Sequence, residues 1–279
     1  MNRIALHQSV VAPLDPVALV DVARRAGLDA VGLRVAAAGH PDVERRWSRG
    51  VGSPALPALV DALLAARVTV LDVGRVPLGP ELCVVDIGHP YGRVLELGSR
   101  LGAQFVTVRA GAPGRDATTT DPGADPAEFF ARLAELAGRY HVRPLLSLAA
   151  GTAVATLEQA LDVVEGTDGG VVLDVVPGRD TPTAVDETVV ELGDRLGYVR
   201  VAARALAHAA APGLLATLPP QVPIAIGGLP GGTDPDGADP DSGAREPGDA
   251  DPDAQVARVS ALRQRVDGML RHPQATPAP

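Results

Sequence analysis

The sequence predicts a (β/α)₈ barrel, and three observations carry the prediction. Eight short runs rich in Val, Ile and Leu recur along the chain, nearly continuous in apolar character, as strands buried on both faces read. Each is followed by a longer stretch of helical patterning, the alternation that builds parallel sheets. The 279 residues suit one such barrel, whose usual length is about 250. The rival, an open doubly wound sheet, should carry G-x-G-x-x-G after its first strand. HQSVVAPLDP stands there instead.

The elements follow in order. RIALHQ marks the first strand, Arg3–Gln8, and Asp15-Pro16 then opens a helix over Pro16–Ala26. An acid cap followed by proline at the first helical position suits a helix start, because proline's missing N–H is no loss there. AVGLRV gives the second strand, Ala30–Val35, and Ser53-Pro54 opens the helix Pro54–Ala66. The third strand is Val68–Gly74, followed by a helix over Pro90–Leu101 with His89 as its cap. Gln104–Ala110 is the fourth strand, and Asp125-Pro126 begins the helix Pro126–Tyr140. Val142–Leu148 and the helix Ala153–Glu165 come next, then Gly170–Val175 and Thr183–Leu196. Gly197–Ala203, the helix Ala207–Leu218, the strand Val222–Gly228 and the helix Ala254–Arg271 complete the set.

One segment differs from the rest. Residues 231–254 hold seven Asp and one Glu against one Arg, so they carry −7 of the chain's net −9. With no large apolar side chain they cannot bury surface to offset ordering entropy, and a disordered acidic loop is expected. A calcium loop is disfavoured, since the glutamate that closes one at its twelfth position is missing. The expected organisation is a single barrel over residues 1–230 and 254–271, with the loop at 231–254 and a flexible tail at 272–279.

Composition excludes several kinds of chemistry. The chain has no lysine, so all 25 basic residues are arginine. Schiff-base, pyridoxal-phosphate and phosphate-loop lysines are therefore impossible. Cys83 is the single cysteine, which rules out an internal disulfide and any multi-cysteine metal site. It is expected to be a small buried residue rather than a nucleophile. Net negative charge and few aromatics argue against nucleic-acid binding. No apolar run reaches the roughly 18 residues of a transmembrane helix. The first residues lack a signal-peptide pattern, so a cytoplasmic location is expected; oligomeric state is not legible.

Several phrases, in order, carry a family resemblance. DPVALVDVARRAGLDAVGLRV, RVTVLDVGRVPL, LELGSRLGAQFVTVRAGAPGRD and TAVATLEQALDVVE with GGVVLDVVPGRDTPT resemble the sugar phosphate isomerase/epimerase family, the xylose-isomerase-like barrels, over about residues 3–228. The resemblance implies a divalent cation held at strand C-termini by carboxylates and histidine. It also implies proton transfer between adjacent carbons of a small polyhydroxy or keto substrate. A hard cation wants oxygen ligands and stabilises the enediolate oxygen as the proton leaves. Of the implied metal ligands Asp174 is present, while Ser147, Pro177, Ala203 and Gly227 stand at other ligand positions and Gly74 replaces a third-strand glutamate. The metal site is thus expected to be impaired or altered.

The residues left to do chemistry are Asp174, as general base or residual metal ligand, and His7, which ends the first strand as an acid–base group. Arg34, Arg75, Arg109, Arg179 and Arg204 stand at or just past the ends of five strands. A barrel would gather them at one mouth, where guanidinium groups could bind a phosphate or carboxylate bidentately. Trp47 is read as packing. Two readings follow: an isomerase or epimerase acting on a small anionic or sugar-like molecule, and a catalytically inactive barrel binding an anionic metabolite or a protein partner through those arginines. An unrelated (β/α)₈ enzyme is a third, since fold alone does not fix function.

Overall fold

The computed structural model describes residues 2–11, 14–34, 55–78, 90–110, 125–148, 154–176, 180–228 and 251–271. Eight parallel strands close into a barrel in the order β1 to β8, with helices between them. The strands are β1 (Ile4–His7), β2 (Ala30–Arg34), β3 (Thr69–Leu78), β4 (Phe105–Ala110), β5 (Arg143–Ser147), β6 (Gly170–Val175), β7 (Leu196–Ala202) and β8 (Ile224–Gly227). The described helices are α1 (Pro16–Arg25), α2 (Ala55–Ala66), α3 (Pro90–Arg100), α4 (Pro126–Arg139), α5 (Leu157–Val164), α6 (Pro182–Leu192), α7 (Ala211–Ala216) and α8 (Pro252–Arg271). Trp47, Cys83, His89 and most of the acidic segment lie outside the described residues.

The contacts group the chain into two compact units. The first comprises Met1–Val31, Asp61–Thr69 and Asp174–Pro279. Here β8 pairs with β1 on one side (Ile4↔Ile224, Leu6↔Ile226) and with β7 on the other (Val199↔Ile224, Ala202↔Gly227). Ile4, Leu6, Tyr198, Val199, Val201, Ile224 and Ile226 are fully buried. That explains why these strands read as apolar runs rather than as alternations. The caps form as their sequences imply: Asp15 accepts from the N–H groups of Val17 and Ala18 ahead of α1, and Thr181 from that of Ala184 ahead of α6.

The second unit comprises Gly32–Val60 and Val70–Leu173. Strand β4 pairs with β3 and β5, and the β3–β4 register shifts between Gly74 and Val76. The strand continues past that irregularity to Leu78, four residues beyond the expected end at Gly74. Gly74 fits tightly: a Cβ there would lie 2.8 Å from the Thr107 carbonyl oxygen and 3.0 Å from the Thr107 Cβ. Next to it the Thr107 hydroxyl donates to Asp72 Oδ2 at 3.0 Å, and both residues are fully buried. The side-chain position that the resemblance assigns to a glutamate in the third strand is therefore closed by β4 backbone.

Candidate functional site

Asp174 is the fifth of six residues in β6, and its side chain is 13% exposed. Both of its oxygens are engaged. Arg200, the fifth residue of β7, donates Nε–H to Asp174 Oδ1 at 2.5 Å and Nη2–H to Oδ2 at 2.8 Å. The side chain of Arg200 is 0% exposed. This is the planar two-on-two pairing that guanidinium and carboxylate geometries share. Burying two ions is costly unless they are paired so completely.

The arginine stem reaches its partner across a glycine. A Cβ at Gly227, the last residue of β8, would lie 3.0 Å from Arg200 Cδ, 3.2 Å from Arg200 Cγ and 3.4 Å from His7 Cβ. Gly227 therefore marks the point where the side chains of β1 and β7 converge. His7, the last residue of β1, is 1% exposed. Its Nδ1 accepts from the Ser9 backbone N–H at 3.2 Å and lies 2.7 Å from Ser9 Oγ. Ser9 Oγ in turn accepts from the Gly228 N–H at 2.8 Å. With a backbone donor on Nδ1, the neutral ring carries its proton on Nε2, and the Ser9 hydroxyl completes the network by donating to Nδ1. The tight turn Gln8–Val10, which replaces the expected last strand residue, puts Ser9 in that position.

Asp174, Arg200, Gly227, His7 and Ser9 thus form one connected cluster at the C-terminal ends of β6, β7, β8 and β1, where barrel active sites are built. Of the residues expected from the sequence, Asp174 and His7 lie in this cluster; Arg200, inside LGYVRVA rather than at a strand end, was not among them. A signal was present: a cation within a strand buried at every position must have a buried anionic partner.

Among the five expected arginines, Arg34 ends β2 and Arg109 lies in β4 opposite Ser147 of β5. Both are half-buried. Arg204 is exposed in the short helical turn Ala203–Ala207 that follows β7. Arg75 lies in β3, with its side chain outside the described set, and Arg179 lies outside the described residues. Asp180 accepts from the Val176 N–H at 2.7 Å.

The cluster does not fit a divalent cation. Both Asp174 oxygens face a guanidinium, His7 Nδ1 is taken by Ser9, and Gly227 offers no donor. A hard cation needs several oxygen ligands at about 2.0–2.6 Å. Among the described residues, no group of three or more His, Cys, Asp or Glu side chains is placed to hold a metal. No described helix is long and apolar enough to cross a membrane.

No protein-family model matches the chain, and no curated protein matches it in sequence. Solved structures do match in fold. A xylose isomerase-like TIM barrel/4-hydroxyphenylpyruvate dioxygenase fusion protein aligns with 97% of this chain at a TM-score of 0.65 and 14% identity. The chain spans only 43% of that protein's length. D-psicose 3-epimerase from Clostridium cellulolyticum H10, solved with D-tagatose, aligns with 96% of this chain and 99% of its own, with a TM-score of 0.64 and 14% identity. The IOLI protein, in a structure with a binding zinc atom, aligns with 98% of this chain and all of its own, with a TM-score of 0.64 and 11% identity. At these identities the likeness establishes the fold alone, a (β/α)₈ barrel.

Proposed function

We propose that this barrel acts on a small polyhydroxy or keto compound in the manner of a sugar isomerase or epimerase, by proton transfer at the Asp174 cluster. The observation that carries the reading is the pairing of a partly exposed strand-end carboxylate with a buried cation, whose side chain converges with that of His7 at Gly227. Arg200 donates to both Asp174 oxygens, which are the basic atoms of the cluster. One of these takes the proton from the carbon next to the substrate carbonyl. The electron pair moves onto the carbonyl oxygen, which becomes an enediolate oxygen and accepts a hydrogen bond from His7 Nε2–H. The proton of the hydroxyl on the carbon that lost its hydrogen passes to the enediolate oxygen, and return of the proton from Asp174 to the former carbonyl carbon, as the new carbonyl forms, completes an aldose–ketose interconversion. A single carboxylate suffices for that shuttle, whereas inversion at one carbon needs a second acid on the opposite face.

A second reading is a silent barrel that retains ligand binding, favoured by the engagement of both Asp174 oxygens. In that case Arg34 and Arg109, with Arg75, Arg179 and Arg204 as further anion-binding residues, matter more than Asp174. One experiment separates the two. Aldoses, ketoses and their phosphates are incubated with the protein in D₂O, and carbon-bound hydrogen exchange is followed by proton NMR. The enzyme reading expects exchange next to the carbonyl, reduced by about 10²-fold or more in Asp174→Asn and lowered in His7→Gln. No exchange across the panel, together with calorimetric binding of a sugar phosphate that Arg34→Ala or Arg109→Ala weakens, establishes the second reading instead.

A further inference from the structure

We propose that the Arg200 guanidinium is the resident cation of this site, standing where a divalent metal would otherwise neutralise Asp174, and that Gly227 is the residue that admits it. Three observations converge. Arg200 meets both Asp174 oxygens, at 2.5 and 2.8 Å, the two atoms a bidentate cation would need. A metal binding both oxygens must displace a guanidinium that is fully buried. Its charge would also be repelled by the one already present. The arginine stem, moreover, passes so close to Gly227 that a Cβ there would lie 3.0 Å from its Cδ. A side chain at 227 would therefore press on the arginine stem, and the two compete for the same space.

The consequence is a site whose positive charge is built into the chain. A carboxylate ligand on β8 and a metal ion form one solution, and glycine on β8 with arginine on β7 forms another. The second needs no metal supply and resists chelators. Arg200 acts through Asp174 as a positioning residue. The inference concerns the site of the proposed proton transfer but does not rest on it, because its readout is metal binding rather than turnover.

The test uses the full chain. Thermal unfolding is recorded in EDTA and with Mn²⁺, Co²⁺ or Zn²⁺, alongside Co²⁺ titration followed by visible absorption, for the wild type, Asp174→Asn and His7→Gln. The wild type is expected to show no stabilisation or Co²⁺ spectrum that either variant removes. Metal effects equal in all three proteins leave Asp174 outside any metal's ligand shell, as proposed. A stabilisation lost in Asp174→Asn or His7→Gln overturns the proposal. The double variant Arg200→Ala/Gly227→Glu opens the space and supplies a second carboxylate, and is expected to bind Mn²⁺ at least tenfold more tightly than the wild type, on the order of one added ligand. If circular dichroism shows it folded and it gains nothing, Arg200 is not what keeps metal out. Should it not fold, the wild-type comparison decides alone.

Discussion

A buried arginine and a nearly buried aspartate, joined through two hydrogen bonds, make one unit whose halves cannot be removed separately. Asp174→Asn keeps the shape but leaves the Arg200 charge uncompensated at 0% exposure. We expect it to cost about 3 kcal/mol, at the low end for a broken buried pair because Asp174 keeps some contact with solvent. Arg200→Met should cost a similar amount by stranding the carboxylate. The double variant Asp174→Leu/Arg200→Met should recover most of the loss, since a buried ion pair replaced by apolar groups of similar volume is often close to neutral. Urea unfolding of all four proteins closes the cycle, and additive losses would show that the pair is not coupled. Asp174 was legible because a lone acid near the end of an apolar strand is conspicuous. Arg200 was not, because its partner lies on a different strand, 26 residues away. Spacing along the chain does not reveal such a pairing. His7 could be read as a strand-end imidazole, but its tautomer rests on Ser9 and Gly228, which only the folded chain brings together.

Element ends show the same division between local and distant causes. Helix α5 begins at Leu157 rather than at Ala153, because Thr156 and Gln159 form a capping box in which each side chain accepts from the other's backbone N–H. The T-x-x-Q spacing that encodes it is visible in the sequence. Helix α8 begins at Pro252, two residues before the expected Ala254, because Asp251 accepts from the Asp253 N–H at 3.0 Å and from Gln255 N–H through its carbonyl oxygen at 3.1 Å. The start of α8 is tied to α1 by Arg25 and Asp253 at 2.5 Å, and its middle buries Val259 and Val266. Asp29 joins three elements at once. Its Oδ2 accepts from the Ile4 N–H of β1 at 3.0 Å and lies 3.8 Å from Arg263 of α8, while its backbone carbonyl accepts from the Thr69 N–H of β3. Asp29→Ala should cost about 1–2 kcal/mol, chiefly by orphaning the Ile4 N–H. Hydrogen exchange should then rise at Ile4. Unchanged protection there would show that another acceptor or water replaces the carboxylate. The reach of Asp29 across the sheet was invisible in the sequence, where it reads as a turn residue before β2.

Across the whole molecule, the barrel was legible because every strand buried on both faces writes a β-branched run, and eight such runs alternating with helices leave few alternatives. Charge distribution was equally legible, since it needs no structure. Residues 231–254 carry −7 of the net −9, leaving the remaining 255 residues close to balanced. A nearly balanced barrel loses little by self-repulsion, and the composition of residues 231–254 offers no large apolar side chain to bury. These two facts predict that charge and stability are separable in this chain. Replacing residues 231–250 with a Gly/Ser segment of equal length removes most of the net charge and should raise the isoelectric point well above the value of about 5.1. The melting temperature should move by no more than about 2 °C, because equal length keeps loop closure entropy the same. The replacement stops before Asp251, so the cap of α8 is kept. Calorimetry at low and moderate salt checks both parts. A fall of many degrees at either salt would mean that the acidic segment packs on the barrel through contacts its composition does not announce. An unchanged melting temperature with solubility lost near neutral pH would assign the segment to keeping copies of the chain apart.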